Sequence, residues 1–284
     1  MPSRSIDRLR HDAKALKKAF VAGDAQAHAR VENALGPHNV LKHADALRVI
    51  AREAGHASWP RLKLAHQMAA ADHDARAHRL KVALFHGQHW VVDMLLDADP
   101  ALARTDFGLA CAMFDSEEVE RVLAVDPAAA TRAVAGPRRP ILHLAFSRWH
   151  ERAGTEAQIA CAERLVAAGA DVNDGYPAEP ESPHMLSALY GALGHAGNLA
   201  LAEWLLARGA NPNDDESLYH ATELGHADGL RLLLRHGAST EGTNALPRAM
   251  DFNDLQMVRL LLEAGADPNE GVHSQHPSGH PPVV

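Results

Sequence analysis

The chain has 284 residues, with 46% hydrophobic and 23% charged side chains and a formal net charge of -8. That length permits one extended unit or two compact ones, and the acidity argues against a nucleic-acid partner, which would want a concentrated Lys/Arg surface. No window reaches the 18–20 uninterrupted apolar residues of a membrane span. The basic start "MPSRSIDRLRHDAKALKK" lacks the apolar stretch of a signal peptide. Two cysteines, Cys111 and Cys161, with no C-x-x-C spacing, fit small buried side chains in a reducing compartment. A cytoplasmic protein is expected.

In chain order, residues 1–70 form a first region. "SIDRLRHDAKALKKAFVAG" predicts a helix opened by a Ser cap and ended by Gly23. "ADALRVIAREAGHASWPRLKLAHQMA" predicts two helices divided at Gly55, with Ser58 capping the second and Pro60 at its first helical position. From residue 75 onward the chain repeats itself. "WVVDMLLDADP" (90–100) and "EVERVLAVDP" (118–127) share an apolar-Asp-Pro ending. Clearer copies follow: "RLVAAGADVN", "WLLARGANPN", "LLLRHGASTE" and "LLLEAGADPN", closed by Gly169, Gly209, Gly237 and Gly265. In each, a leucine-rich helix has an apolar side, glycine stands where a left-handed residue ends it, and Asn/Asp/Pro favour a turn. A helix pair of this size cannot bury its apolar side alone; stacking on the next copy solves that.

These phrases resemble the ankyrin repeat family, and the chain looks like a bacterial-type member with an N-terminal helical extension. "GHAGNLALAEWLLARGANPN" and "NDLQMVRLLLEAGADPN" are similar to the family's glycine-histidine turn, second helix and closing turn, and "ILHLA" (141–145) to its opening. The resemblance implies an all-α solenoid of about six partly degenerate units: 75–101, 103–129, 138–174, 184–214, 216–242 and 244–270. The domain reading is an N-terminal helical cap (1–70), a repeat domain (75–270) and a disordered tail (271–284). An independent helical binding domain is the alternative to the cap. The tail's His273, His276 and His280 suggest at most a loose metal contact. The resemblance also gives His143, His195 and His226 structural roles, bridging backbone groups at helix junctions.

Candidate function lies where the pattern breaks. Two segments do so, 137–158 and 174–186. Arg138, Arg139, Arg148, Trp149, His150 and Glu151 in the first, and Tyr176, Glu179, Glu181 and His184 in the second, supply charge, aromatic planes and hydrogen-bonding groups suited to an acidic or peptide-like protein partner; an inert longer loop is the competing reading. Tyr190, His220 and Glu223 join them as groove candidates, and "HGQHWVVDMLL" (86–96) offers His86, His89, Trp90 and Asp93. The leading expectation is a non-catalytic protein-protein interaction scaffold presenting a concave groove and variable fingers, monomeric and without a cofactor. Its alternative is a hydrolase-, lyase- or isomerase-type enzyme using His150, Glu151, His184 and His220 for acid–base chemistry, with Tyr190 beside them. A small-molecule or metal sensor is the third reading, although no tight zinc-ligand spacing occurs and no metal site is assigned.

Overall fold

The computed structural model describes residues 5–268. The chain divides into two compact units, the first ending at Arg76 and the second beginning at Ala77.

The first unit contains helices Ile6–Val21, Ala25–Leu35, His43–Glu53 and Trp59–Ala70. Ser5 opens the first, its side chain accepting a hydrogen bond from the Arg8 backbone, and Gly23 follows in the left-handed region. The Ala25–Leu35 helix has no counterpart in the sequence reading. It buries only Ala27 and Val31, so its apolar stripe is thin, and its clearest signal is Asp24, which caps Ala27 N at 2.7 Å. Ser58 has an extended cap backbone, but its hydroxyl makes no capping bond; Trp59 is the first helical residue and Pro60 the second. Leu9, Leu16, Phe20, Val31, Val49, Ile50 and Leu62 form a core belonging to this unit.

The second unit is an all-α repeat solenoid. Its helix pairs are the His73–Phe85 helix, from Ala77 onward, with His89–Ala98, Phe107–Ala112 with Ser116–Val125, Pro140–Ala145 with Thr155–Ala167, Ala188–Tyr190 with Leu199–Leu206, Ser217–Ala221 with Asp228–Arg235, and Ala245–Asp251 with Leu255–Glu263. From Phe107 onward, the first helices pack on one another in order as one row; the second helices of pairs two to five make another. Gly169, Gly209, Gly237 and Gly265 have φ of +100°, +91°, +84° and +96°. Each therefore closes its helix in a conformation that a side chain would strain. The following turns are laddered. Asn173 accepts from Asn211 N at 2.7 Å and donates to Gly209 O, while Asn213 accepts from Ser239 N at 2.7 Å. The asparagines thus join successive repeats as well as forming turns.

Two departures fall where the sequence loses its period. The Gly175–Pro177 and Met185–Ser187 stretches pair as a short antiparallel hairpin, with Tyr176 opposite Leu186. Tyr176 is buried, which anchors the hairpin to the stack. The fourth pair's first helix widens to a π-helical turn over Gly191–His195. A Cβ at Gly191 would stand 2.5 Å from ring carbons of Phe146, so the absence of a side chain lets the Phe146 ring pack against the Gly191 backbone. Phe146 is itself 1% exposed and ranks among the largest fully buried side chains.

Candidate interaction surface

Segments 86–93 and 147–152, which sequence treats as separate clusters, meet in space. Ser147 donates to Ala112 O at 2.6 Å and Arg148 N donates to Leu84 O at 3.0 Å, fixing the loop between the helices at Pro140–Ala145 and His150–Ala153. On this base the Arg148 guanidinium donates to Glu151 at 2.8 and 3.0 Å, and His89 Nε2 bonds the other carboxylate oxygen at 2.7 Å. Arg152 reaches Asp93 at 3.4 Å. The half-buried Trp149 ring lies 5.9 Å from the His89 ring and 5.9 Å from the Arg152 guanidinium. Burial alone would raise the Glu151 carboxyl, but hydrogen bonds from His89 and Arg148 outweigh it and hold it below its ordinary value. His150 bonds Ser147 O at 3.3 Å, and burial depresses its ring. The Arg148 and Glu151 side chains remain 41% and 36% exposed, so the cluster is paired yet partly open.

A second array runs across the first helices of the last three pairs. Glu216, with only 6% of its side chain exposed, bonds His184 Nε2 at 2.6 Å through one oxygen and His220 Nε2 at 2.8 Å through the other. The opposite ring nitrogen of His220 bonds Glu223 at 2.8 Å, and Arg248 donates to Glu223 at 2.8 Å. Glu216, the N-cap of the Ser217–Ala221 helix, lies four residues before His220, and Glu223, in the turn after that helix, lies three after it, so both reach the same ring. Burial opposes the charged ring, yet the two carboxylates prevail and His220 is raised above its ordinary value. Tyr190 lies 4.9 Å from the His220 ring. Burial, aided by nearby Glu216, pushes the Tyr190 hydroxyl up to about 12. A Cβ at Gly194 would come within 2.6 Å of the Tyr190 ring and 2.9 Å of His220, so glycine permits this packing. Asp214 accepts from Ser187 and from Ser217, the latter at 2.7 Å, beside the array.

Between the first three pairs lies a cleft of about 370 Å³. Leu84, Ala112, His143, Phe146 and Tyr176 make its buried floor; His78 and His86 stand exposed at its rim. Arg138 lies over three rings, 4.3 Å from Tyr176, 4.7 Å from Phe85 and 5.2 Å from Phe146, and donates to the Tyr176 hydroxyl at 2.6 Å.

The candidates therefore separate. His150 and Glu151 belong to the first cluster, whereas His184, Tyr190, His220 and Glu223 belong to the second. The four acid–base candidates do not share one enclosed pocket. Tyr176 is buried beneath Arg138, and Glu181 is exposed in the hairpin turn with φ of +65° and joins neither cluster. His143 and His150 lie on different helices. His143 bonds Val134 O at 3.0 Å, and burial lowers it to about 4. His195 bonds Phe85 O at 2.8 Å, and burial likewise lowers it to about 4. His226 departs from the bridging role: it is exposed and lies 3.7 Å from Asp228, because the turn after Gly225 directs it outward. Cys111 and Cys161 are free and buried; burial pushes Cys161 up to about 11. Among the described residues no group of three or more His, Cys, Asp or Glu is arranged to hold a metal ion, and no helix is long and apolar enough to cross a membrane. The tail histidines lie outside the described residues. Sequence reasoning missed Glu216 and Arg248. The first was legible as an acid one helical turn before His220; the second was not, since its partner lies 25 residues away.

Comparison with known proteins agrees with this architecture. The sequence model of ankyrin repeats, in three copies, matches residues 189–271. The chain is 38% identical over 119 residues to dynein axonemal heavy chain 12 of Bos taurus and 37% identical over 119 residues to ankyrin repeat and SOCS box protein 14 of Mus musculus. Each match covers 38% of this chain, but only 33% and 20% of those relatives, so the chain spans a minor part of either. Residues 189–271 are ankyrin repeats, and such repeats are generally protein-protein interaction modules.

Proposed function

We propose that the chain is a non-catalytic protein-interaction scaffold of the cytoplasm, and that its partner surface comprises the Arg148–Trp149–Glu151 cluster and the His184–Glu216–His220–Glu223–Arg248 array. One observation carries the reading: side chains that break the repeat are paired and ordered, yet partly open, on a rigid stack of helices. Pre-ordered Arg and aromatic groups are favoured anchors because little side-chain entropy remains to be lost on binding. The division of the acid–base candidates between two clusters favours this reading over catalysis. Two buried, unpaired thiols fit a reducing compartment.

Affinity capture from the native lysate tests it, using wild type, an Arg148→Ala/Trp149→Ala/Glu151→Ala variant, and a Glu223→Ala/Arg248→Ala variant. A reproducible protein recovered with wild type should be reduced at least about tenfold by one of the variants, in line with loss of an interface hot spot. Direct titration with that purified protein then gives the affinity and its salt dependence. Equal recovery on all three baits would sink the proposed surface.

A further inference from the structure

The Arg138 cleft adjoins the Arg148 cluster at Leu84 and Ser147, but no side chain of either partner cluster lines it, and it has an unmatched charge. Of the two cationic side chains lining it beside the histidines, Lys81 is paired with Asp106 at 2.5 Å. Neighbouring Arg139 is paired with Asp174. Arg138 has no acidic side chain within ion-pair distance among the described residues; one guanidinium nitrogen serves the Tyr176 hydroxyl. Its guanidinium carbon lies within 5.2 Å of three ring centroids, and among the described residues only the bond to Tyr176 engages its N–H groups, which leaves others for an acceptor with two oxygens. His143 on the floor is committed to Val134 O. Thus the cleft offers one uncompensated positive charge above an apolar and aromatic floor.

Size and charge select the ligand. About 370 Å³ equals roughly a dozen water volumes and falls at the lower end of the range for small-molecule sites. A single negative charge balances Arg138, whereas a dianion would leave an excess charge against apolar side chains, at a desolvation cost. The sequence from Ala77 onward carries 28 Asp/Glu against 15 Lys/Arg, which disfavours polyanions further. We propose that the cleft binds a small organic monocarboxylate, its carboxylate on the Arg138 guanidinium and its apolar body against Phe146, Leu84 and Ala112.

The full chain should be titrated with 4-phenylbutyrate by calorimetry and by ligand-detected NMR. Saturable one-to-one binding is expected, with no binding of 4-phenylbutyramide or inorganic phosphate. Arg138→Gln should weaken it by about tenfold or more, as loss of a charge-assisted hydrogen-bonded pair predicts. His78→Glu adds a negative charge at the exposed rim without disturbing the stacked rings and should weaken binding by about threefold; it keeps the test valid if Arg138→Gln unfolds. Absence of saturation, equal binding of the amide, or affinity indifferent to the folded variants overturns the assignment. Binding of acetyl-Phe-Glu-amide more than tenfold tighter than the free acid overturns it in favour of a peptide ligand.

Discussion

The last two helix pairs and the third and fourth pairs use the same repeat in opposite ways. In the last two, Leu233 and Leu261, each four residues before its closing glycine, are buried, and polar ties run to adjacent repeats, as from Arg248 to Glu223. In the third and fourth, the residues that replace the pattern reach far along the chain. Phe146 packs near Phe85, Tyr176, Tyr190 and His195, and His195 bonds Phe85 O across 110 residues. The histidines differ as well: burial lowers His195 to about 4, while two carboxylates raise His220 above its ordinary value. Loss of the consensus thus marks where remote repeats are joined.

The strongest way to break this contrast is Phe146→Ala. It should cost about 3–5 kcal/mol in urea unfolding, as deletion of a buried ring does, and should lower hydrogen-exchange protection around Phe85 as well as around Gly191. Acid should sharpen the contrast next. His143 and His195 have folded values of about 4 against an unfolded value of 6.5, so the unfolded chain binds protons first as pH falls. Stability should therefore drop between pH 6.5 and about 4, by on the order of 3 kcal/mol for each fully expressed histidine, and His195→Asn should flatten that slope. His220 acts with the opposite sign: its stabilisation is complete below the unfolded value and is lost as pH rises through its elevated folded value. His220→Gln should accordingly remove a decline on the alkaline side, visible in the difference between the variant and wild-type pH profiles.

Smaller effects separate the regions by space. Gly191→Ala should cost about 1–3 kcal/mol, because its Cβ meets the fixed Phe146 ring at 2.5 Å. Gly229→Ala meets the ends of Leu193 and Leu224 side chains at 3.1 Å, which can turn aside, and gains helix propensity; thermal melts should show a smaller change. Arg148→Ala, at a 41% exposed ion pair, should change stability by less than about 1 kcal/mol while weakening partner binding. A large stability loss there would show that the 148–151 cluster serves the scaffold.

Much of the scaffold was legible because its requirements are local. Gly169, Gly209, Gly237 and Gly265 each answer a helix-ending geometry, and the leucine runs between them answer a buried face. The Ala25–Leu35 helix escaped notice because Ala27 and Val31 give too sparse a stripe, and the hairpin around Tyr176 because three-residue strands carry little alternation. At the candidate site, residue type pointed to His220 and Glu223, whose spacing is helical. Pairing between His89 and Glu151 spans 62 residues and depends on how the third repeat folds back. Arg138 stands in the segment 137–158 that breaks the repeat, but the three rings around it come from separate elements and leave no sequence period.

The His195–Phe85 bond has a consequence for cooperativity. An ideal repeat array unfolds as nearest neighbours, so its ends fray and its stability is nearly a sum over adjacent interfaces. Here the carbonyl of Phe85 and the ring of His195 close a loop containing the second and third pairs, so those pairs cannot open one at a time without breaking the clasp. Exchange should therefore proceed inward from Leu255–Glu263, pair by pair, and then stop at a block that opens as a whole. Closing so long a loop costs chain entropy before its contacts form, which places the slow step of folding at the clasp and the fast steps in the final repeats.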